Sequence, residues 1–245
     1  MTRLRVLCTC LTVLMFMAGT AFAQVDPQAR ALLEGLASQG QAADVRTLDQ
    51  TMTMTIHSED EPIVTTSRIV VDYSGQRAAI VSEAMGMSTT MRIVDGVTTM
   101  SVNGMSMPAP PGMDSAFDGI FESGSTGDLL ADPEAVITYD GQVSYADVLS
   151  GQQVSYTGDF GVPGLQMDST TVRFVFDDGG RLLGQVVPES GSDLVSVYVG
   201  EPKIDGALFY DSDMYEVTGG NATLYATMRY DSITFNEPID ESLFE

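Results

Sequence analysis

Apolar residues recur three or four positions apart just after residue 24, which predicts one amphipathic helix. Asp26 is a suitable N-cap for this helix, Pro27 fits its first position, and Gly40 is a suitable stop. The apolar stripe consists of Ala29, Leu32, Leu33, Leu36 and Ala37.

From Thr47 the pattern changes to strict alternation, which predicts half-buried strands. Turn signals separate the strands, and the whole pattern predicts an antiparallel meander of about ten or eleven strands. The expected strands are 47–56, 63–73, 77–83, 86–94, 97–102, a stretch that begins at residue 135 and contains the hairpin signal Asp140-Gly141, 171–176, 181–187, 193–199, 207–217 and 222–235.

Residues 108–135 interrupt the meander with a segment rich in Pro, Gly and Ser. Met113, Phe117, Ile120 and Phe121 have helical spacing there. This composition predicts either a short helical lid or a surface loop with a few apolar anchors.

Methionine is concentrated in the first half of the meander: nine of the 15 methionines lie between Met52 and Met113. Met52 and Met54 are two residues apart, as are Met85 and Met87, so each pair is expected to share one face of a strand. Methionine is flexible and polarisable, and it adapts to apolar ligands of irregular shape. The pattern predicts an apolar groove, with a plain hydrophobic core as the alternative.

The first 23 residues have the form of a secretory signal, with a basic start, an apolar run and the Ala21-Phe22-Ala23 cleavage pattern. We expect cleavage after Ala23, a periplasmic location and a single domain over residues 24–245. Cys8 and Cys10 lie inside the signal, so no disulfide, thiolate ligand or cysteine nucleophile is expected.

The chain has 11 basic and 34 acidic residues and a formal net charge of −23. Nucleic acid and anionic membranes require basic patches, so neither is an expected partner. A single histidine and no nucleophile motif leave no candidate catalytic residue, and we expect a protein that is not an enzyme, with no cofactor and no metal.

The order of elements resembles the LolA/LolB-like lipoprotein carrier superfamily, which includes RseB-like sensor domains. The resemblance lies in the helix, the hairpin Ile93–Val97, the Leu129-Leu130 pair after a proline-bearing loop, and the ending Phe235-Asn-Glu-Pro-Ile-Asp-Glu-Ser-Leu-Phe244. The family's arginine beside a proline and its early aromatics have no counterpart here. Arg77 and Arg92 are the nearest arginines, and neither matches the motif.

The resemblance implies a mostly β, α+β fold: a strongly curved, unclosed β-barrel with an N-terminal helix and a helical lid. It implies a monomeric carrier of lipoprotein acyl chains or lipid that exchanges cargo with a membrane-bound donor or acceptor protein. The expected groove consists of Met52, Met54, Ile56, Met85, Met87, Met91 and Met100. The expected cover consists of Leu32, Leu33, Leu36, Phe117 and Phe121.

Two other functions remain open from the sequence. An envelope sensor or adaptor of the same fold would bind a protein partner instead of cargo. Paired methionines also suit Cu(I), which prefers thioether ligands, although His57 is the sole histidine available to join them.

Overall fold

A computed structural model describes residues 25–39, 45–58, 61–108, 130, 135–158, 170–203 and 209–245. The predicted signal and most of the predicted lid, including Phe117 and Phe121, lie outside these residues. No helix within the described ranges is long and apolar enough to cross a membrane.

The described part contains one α-helix, thirteen strands and a C-terminal 3-10 helix. Their bounds are α1 Pro27–Gln39, β1 Thr47–Ile56, β2 Ile63–Asp72, β3 Arg77–Ala84, β4 Met87–Val94, β5 Val97–Val102, β6 Met105–Met107, β7 Val136–Tyr145, β8 Leu149–Gly158, β9 Thr170–Phe176, β10 Leu182–Pro188, β11 Asp193–Val199, β12 Asp211–Thr218, β13 Asn221–Phe235 and the 3-10 helix Glu241–Phe244.

All thirteen strands form one antiparallel sheet in the order β6-β5-β4-β3-β2-β1-β13-β12-β11-β10-β9-β8-β7. Consecutive strands are neighbours within β1–β6 and within β7–β13, and the pairing of β1 with β13 joins these two meanders. Within the described residues β6 and β7 are the edge strands, with one isolated bridge from Val25 to Ile137 on β7, and the sheet is curved and unclosed. The predicted fold class is confirmed, with two or three more strands than expected.

The helix begins as predicted. The Asp26 side chain accepts hydrogen bonds from the backbone N–H groups of Gln28 and Ala29 at 2.8 and 3.3 Å. These bonds satisfy two of the N–H groups that a helix start leaves free. Leu33 and Leu36 are fully buried on the strands that follow residue 135.

Two local predictions are wrong, because left-handed backbone occurs where the turn rules did not place it. Met85 and Gly86, with φ of 52° and 75°, form the turn between β3 and β4, so Met85 does not share a strand face with Met87. Asp140-Gly141 is a bulge inside β7, and the hairpin turn comes later, at residues 146–148. A bulge and a tight turn both favour Gly at positive φ, so the dipeptide does not distinguish them.

Candidate functional site: the inner face of the sheet

The face against which α1 packs is here called the inner face, and the opposite one the outer face. Residues that are paired across neighbouring strands lie on the same face, so the strand register identifies the inner-face residues of every strand. One unbroken row is Val154, Phe174, Gln185, Ser196, Met214, Ala226, Ile56 and Ile63. The helix and the methionines of β1–β6 therefore lie on the same side of the sheet.

Under the helix the inner face is filled by the protein's own side chains. Leu33 and Leu36 pack in one cluster with Ile137, Tyr156 and Phe176, all at most 1% exposed. Leu32 and Leu130 pack against this cluster. We call α1 with β7–β10 the helix-covered half.

The helix leucines are thus not brought together with the predicted groove, since the cluster that buries them contains no residue of β1–β6. Leu32, Leu33 and Leu36 were expected to cover the methionines. Among the described residues they instead cover strands of the second meander.

The strands β1–β6, here called the methionine half, carry a continuous apolar row on the inner face. Cross-strand pairs connect its members directly, and at a strand spacing of about 4.8 Å the row extends about 24 Å from β1 to the β6 edge. In order it consists of Gln50, Ile69, Ile80, Met91, Met100 and Met107. We call the five residues from Ile69 to Met107 the apolar row.

Exposure increases along this row towards the sheet edge. Gln50 is buried, Ile69, Ile80, Met91 and Met100 are half-buried, and Met107 is 46% exposed. The methionine half therefore presents an open apolar strip within the described residues.

The two sides of the apolar row differ. On one side, Leu48, Val71, Ala78 and Ile93 form a buried cluster. On the other side the next cross-strand row is polar in its centre: Ser67, Ser82 and Thr89 pair across β2, β3 and β4. The Ser67 and Ser82 hydroxyls are hydrogen-bonded to each other at 2.9 Å, so they satisfy part of their own hydrogen-bonding capacity.

The other predicted groove residues lie farther along the strands, away from this row. Met52, Met54 and Ile56 are half-buried on the inner face of β1, and Met87 lies on the inner face of β4 at 52% exposure. Met85, in the turn, is 77% exposed.

Charge separates the two faces of the methionine half. By strand alternation, every charged residue of β1–β6 is on the outer face: Asp49, Arg68, Asp72, Arg77, Glu83 and Arg92. In a chain with a net charge of −23, an inner face free of charge over six strands suits an apolar ligand.

An aromatic group lies on the middle strands, between the two halves. Tyr198 stacks on Tyr210 with ring centroids 5.0 Å apart, and Phe209 contacts Tyr230 and Phe235 at 5.6 and 5.7 Å. Burial raises the pKa of Tyr198 and of Tyr230, because it disfavours the charged phenolate. The sequence analysis missed this group, because its members come from three separate elements.

One buried polar group in the methionine half also escaped the sequence analysis. Gln50 is 8% exposed on the inner face of β1, and its side-chain oxygen Oε1 is buried without a hydrogen-bond partner in the described structure. An unsatisfied buried acceptor costs about 1–3 kcal/mol. Its neighbours on β13 and β2 are Ile233 and Ile69, and neither side chain has a donor.

The C-terminal segment packs on part of the outer face of the methionine half, against β3 and β4. Arg77 donates to Asp72 at 2.9 Å and to both carboxylate oxygens of Glu241 at 2.6 and 2.9 Å, and its guanidinium lies 4.6 Å from the Phe244 ring centroid. Arg92 donates to the Leu243 carbonyl at 2.7 Å. The arginines without a family counterpart thus hold the chain end.

The one histidine that could join the methionines as a Cu(I) ligand, His57, lies just outside β1. His57 follows the last residue of β1, is exposed, and donates its backbone N–H to the Tyr225 carbonyl at 2.8 Å. Across the described ranges, no three His, Cys, Asp or Glu residues are grouped as metal ligands would be.

The fold is LolA-like, as the resemblance implied. The structure aligns with a LolA superfamily protein from Nitrosomonas europaea over 89% of this chain and 97% of that one, with a TM-score of 0.53 and 12% identity. No protein-family model and no curated protein sequence matches the chain.

Two further solved structures align with lower TM-scores. A DUF1329 family protein from Desulfovibrio piger gives 0.46 at 13% identity over 90% of this chain and 98% of that one. A domain described as an outer membrane lipoprotein-sorting protein, from Vibrio parahaemolyticus, gives 0.48 at 8% identity over 87% and 94%.

Proposed function

We propose that this protein is an exported periplasmic carrier that binds acyl chains of lipoproteins or lipids on the inner face of the methionine half. The observation that carries the proposal is the apolar row, which is half-buried, uncharged and open towards the β6 edge. The LolA-like fold also supports the proposal, because the lipoprotein carrier superfamily that the sequence resembles has this fold.

The physical chemistry of acyl chains fits this surface. An acyl chain needs no hydrogen bonds, and burying each CH₂ group contributes about 0.8 kcal/mol. Methionine side chains adapt to the bends of such a chain without a rigid, complementary cavity. Binding of this kind is reversible, which a carrier requires. The proposed function needs no catalytic residue, so it is that of a binding protein and not of an enzyme.

Binding of a fluorescent fatty acid to the full-length mature protein tests the proposal. Met91→Glu introduces a charge into the centre of the apolar row and should weaken binding by at least about tenfold, because the ligand would have to desolvate a carboxylate. Thr90→Glu is the matched control, since it adds the same charge to the outer face of the same strand.

Equal affinities of the two variants, with both folded by circular dichroism, would contradict the proposed binding face. One stoichiometric protein partner and no lipid, after purification from the native envelope, would favour the sensor or adaptor instead.

A further inference from the structure

Gln50 is the one residue of its cross-strand row that breaks the apolar pattern. The row continues from Gln50 through the apolar row to the β6 edge, and Ile233 adjoins it on β13. A glutamine in this place offers no apolar contact that leucine or methionine would not offer, and its Oε1 has no hydrogen-bond partner in the described structure.

The second buried glutamine of the described structure shows what a satisfied side chain looks like in this sheet. Gln153, on β8, donates to Asp140 at 2.6 Å and accepts from the Tyr145 hydroxyl at 2.5 Å. Gln153 thus has a partner for its oxygen and for its nitrogen, whereas the oxygen of Gln50 has none.

We propose that Gln50 recognises the polar junction of an acylated ligand whose chain lies along the apolar row. This inference rests on the proposed carrier function. The free group is an acceptor, so its complement is a hydrogen-bond donor: the N–H of an amide-linked acyl chain. An ester-linked chain has acceptors alone at that place: it can accept from the Gln50 Nε2, as the amide carbonyl can, but it leaves Oε1 unsatisfied.

The position of Gln50 fits this role. It lies where the apolar row begins, so a junction held there directs the chain along Ile69 and Ile80 towards Met100. The residue is 8% exposed, and the terminal torsion of glutamine is broad, so a small rotation presents the oxygen to a ligand on the inner face. Gln50 therefore selects the linkage, and the apolar row supplies most of the affinity.

Two probes of equal chain length test this inference: N-methyltetradecanamide, which has one N–H, and methyl tetradecanoate, in which an oxygen replaces it. Each displaces a fluorescent fatty acid from the full-length mature protein. The wild type should bind the amide about fivefold more tightly than the ester, which is the effect of one net hydrogen bond.

Gln50→Met should lose the preference for the amide or reverse it, because it keeps the side-chain length but leaves the amide N–H without an acceptor. Thr55→Met is the matched control: it places the same side chain on the outer face of the same strand and should keep the preference. Thermal unfolding identifies a variant that fails to fold, and Gln50→Leu then replaces Gln50→Met.

The outcomes separate this inference from the function on which it rests. Equal binding of both probes by the wild type, as an ordered water on Oε1 would produce, overturns the role of Gln50 and leaves the carrier intact. A preference for the amide that survives in Gln50→Met would likewise overturn the role of Gln50 and leave the carrier intact. Failure of the wild type to bind either probe overturns both proposals.

Discussion

Inner-face residues of β7–β9 such as Ile137, Tyr156 and Phe176 are at most 1% exposed, whereas Ile80, Met91 and Met100 in β3–β5 are half-buried. Both sets of residues lie on the same face of one curved sheet. In the helix-covered half, aromatic and branched side chains pack under α1 and fill the inner face. In the methionine half, adaptable side chains leave an apolar strip in contact with solvent. The difference assigns stability mainly to one half and ligand binding to the other.

The two halves also differ in what covers their outer faces. Val175, Val186 and Val195 are fully buried there, so the second meander has an apolar core on each face. The outer face of the methionine half buries a smaller apolar pair, Val70 and Ala79, and it holds the chain end by ion pairs and hydrogen bonds. Its attachment to the C-terminus therefore depends on charge.

The largest expected effect comes from truncating the helix-covered core. Phe176→Ala removes a fully buried ring and should lower the free energy of unfolding by about 3–5 kcal/mol, since the cavity adds to the lost burial. Met91→Ala, at a half-buried site, should cost about 1 kcal/mol or less. Urea denaturation of both variants checks this, and equal losses would remove the distinction between the halves.

A smaller effect is expected at the outer face of the methionine half, at Asp72. Burial alone would raise the pKa of this carboxyl, but hydrogen bonds from Ser74, the Gly75 N–H and Arg77 outweigh burial and lower it. The carboxylate therefore stabilises the folded state at pH values above its unfolded-state pKa of about 3.9, and this contribution is lost as pH falls through the folded-state pKa.

Asp72→Asn should cost about 1–3 kcal/mol at pH 7, and the difference from wild type should shrink as pH falls below about 4. Urea denaturation over pH 7 to 3 measures both quantities. Glu83→Gln, at an exposed position on β3, is the control and should show almost no difference. A loss in Asp72→Asn that stays constant with pH would show that the charge of Asp72 does not stabilise the folded state.

Local patterns in the sequence predicted much of this architecture. The Asp26 cap, the apolar stripe of α1 and the hairpin at Asp95-Gly96 were predicted because capping, helical period and turn chemistry act over a few residues. Met85-Gly86 was missed because methionine rarely occupies a left-handed turn position, and only the pairing of β3 with β4 requires it there.

The candidate site was less accessible to sequence reasoning. Alternation placed Met52, Met91 and Met100 on one face of their strands, but the row that joins Met91 to Ile80 and Gln50 depends on cross-strand register. The pairing of β1 with β13, which brings Ile233 beside Gln50, joins residues from opposite ends of the chain. No local signal encodes such a contact.

The most direct test of where an acyl chain lies is photo-crosslinking with a fatty acid that carries a diazirine at its chain end, followed by peptide mapping. Adducts on the β3–β5 peptides that contain Ile80, Met91 and Met100, reduced by an excess of unlabelled fatty acid, are the predicted result. Adducts confined to β8–β10 and α1, or labelling that excess fatty acid does not reduce, would contradict the assignment of binding to the methionine half.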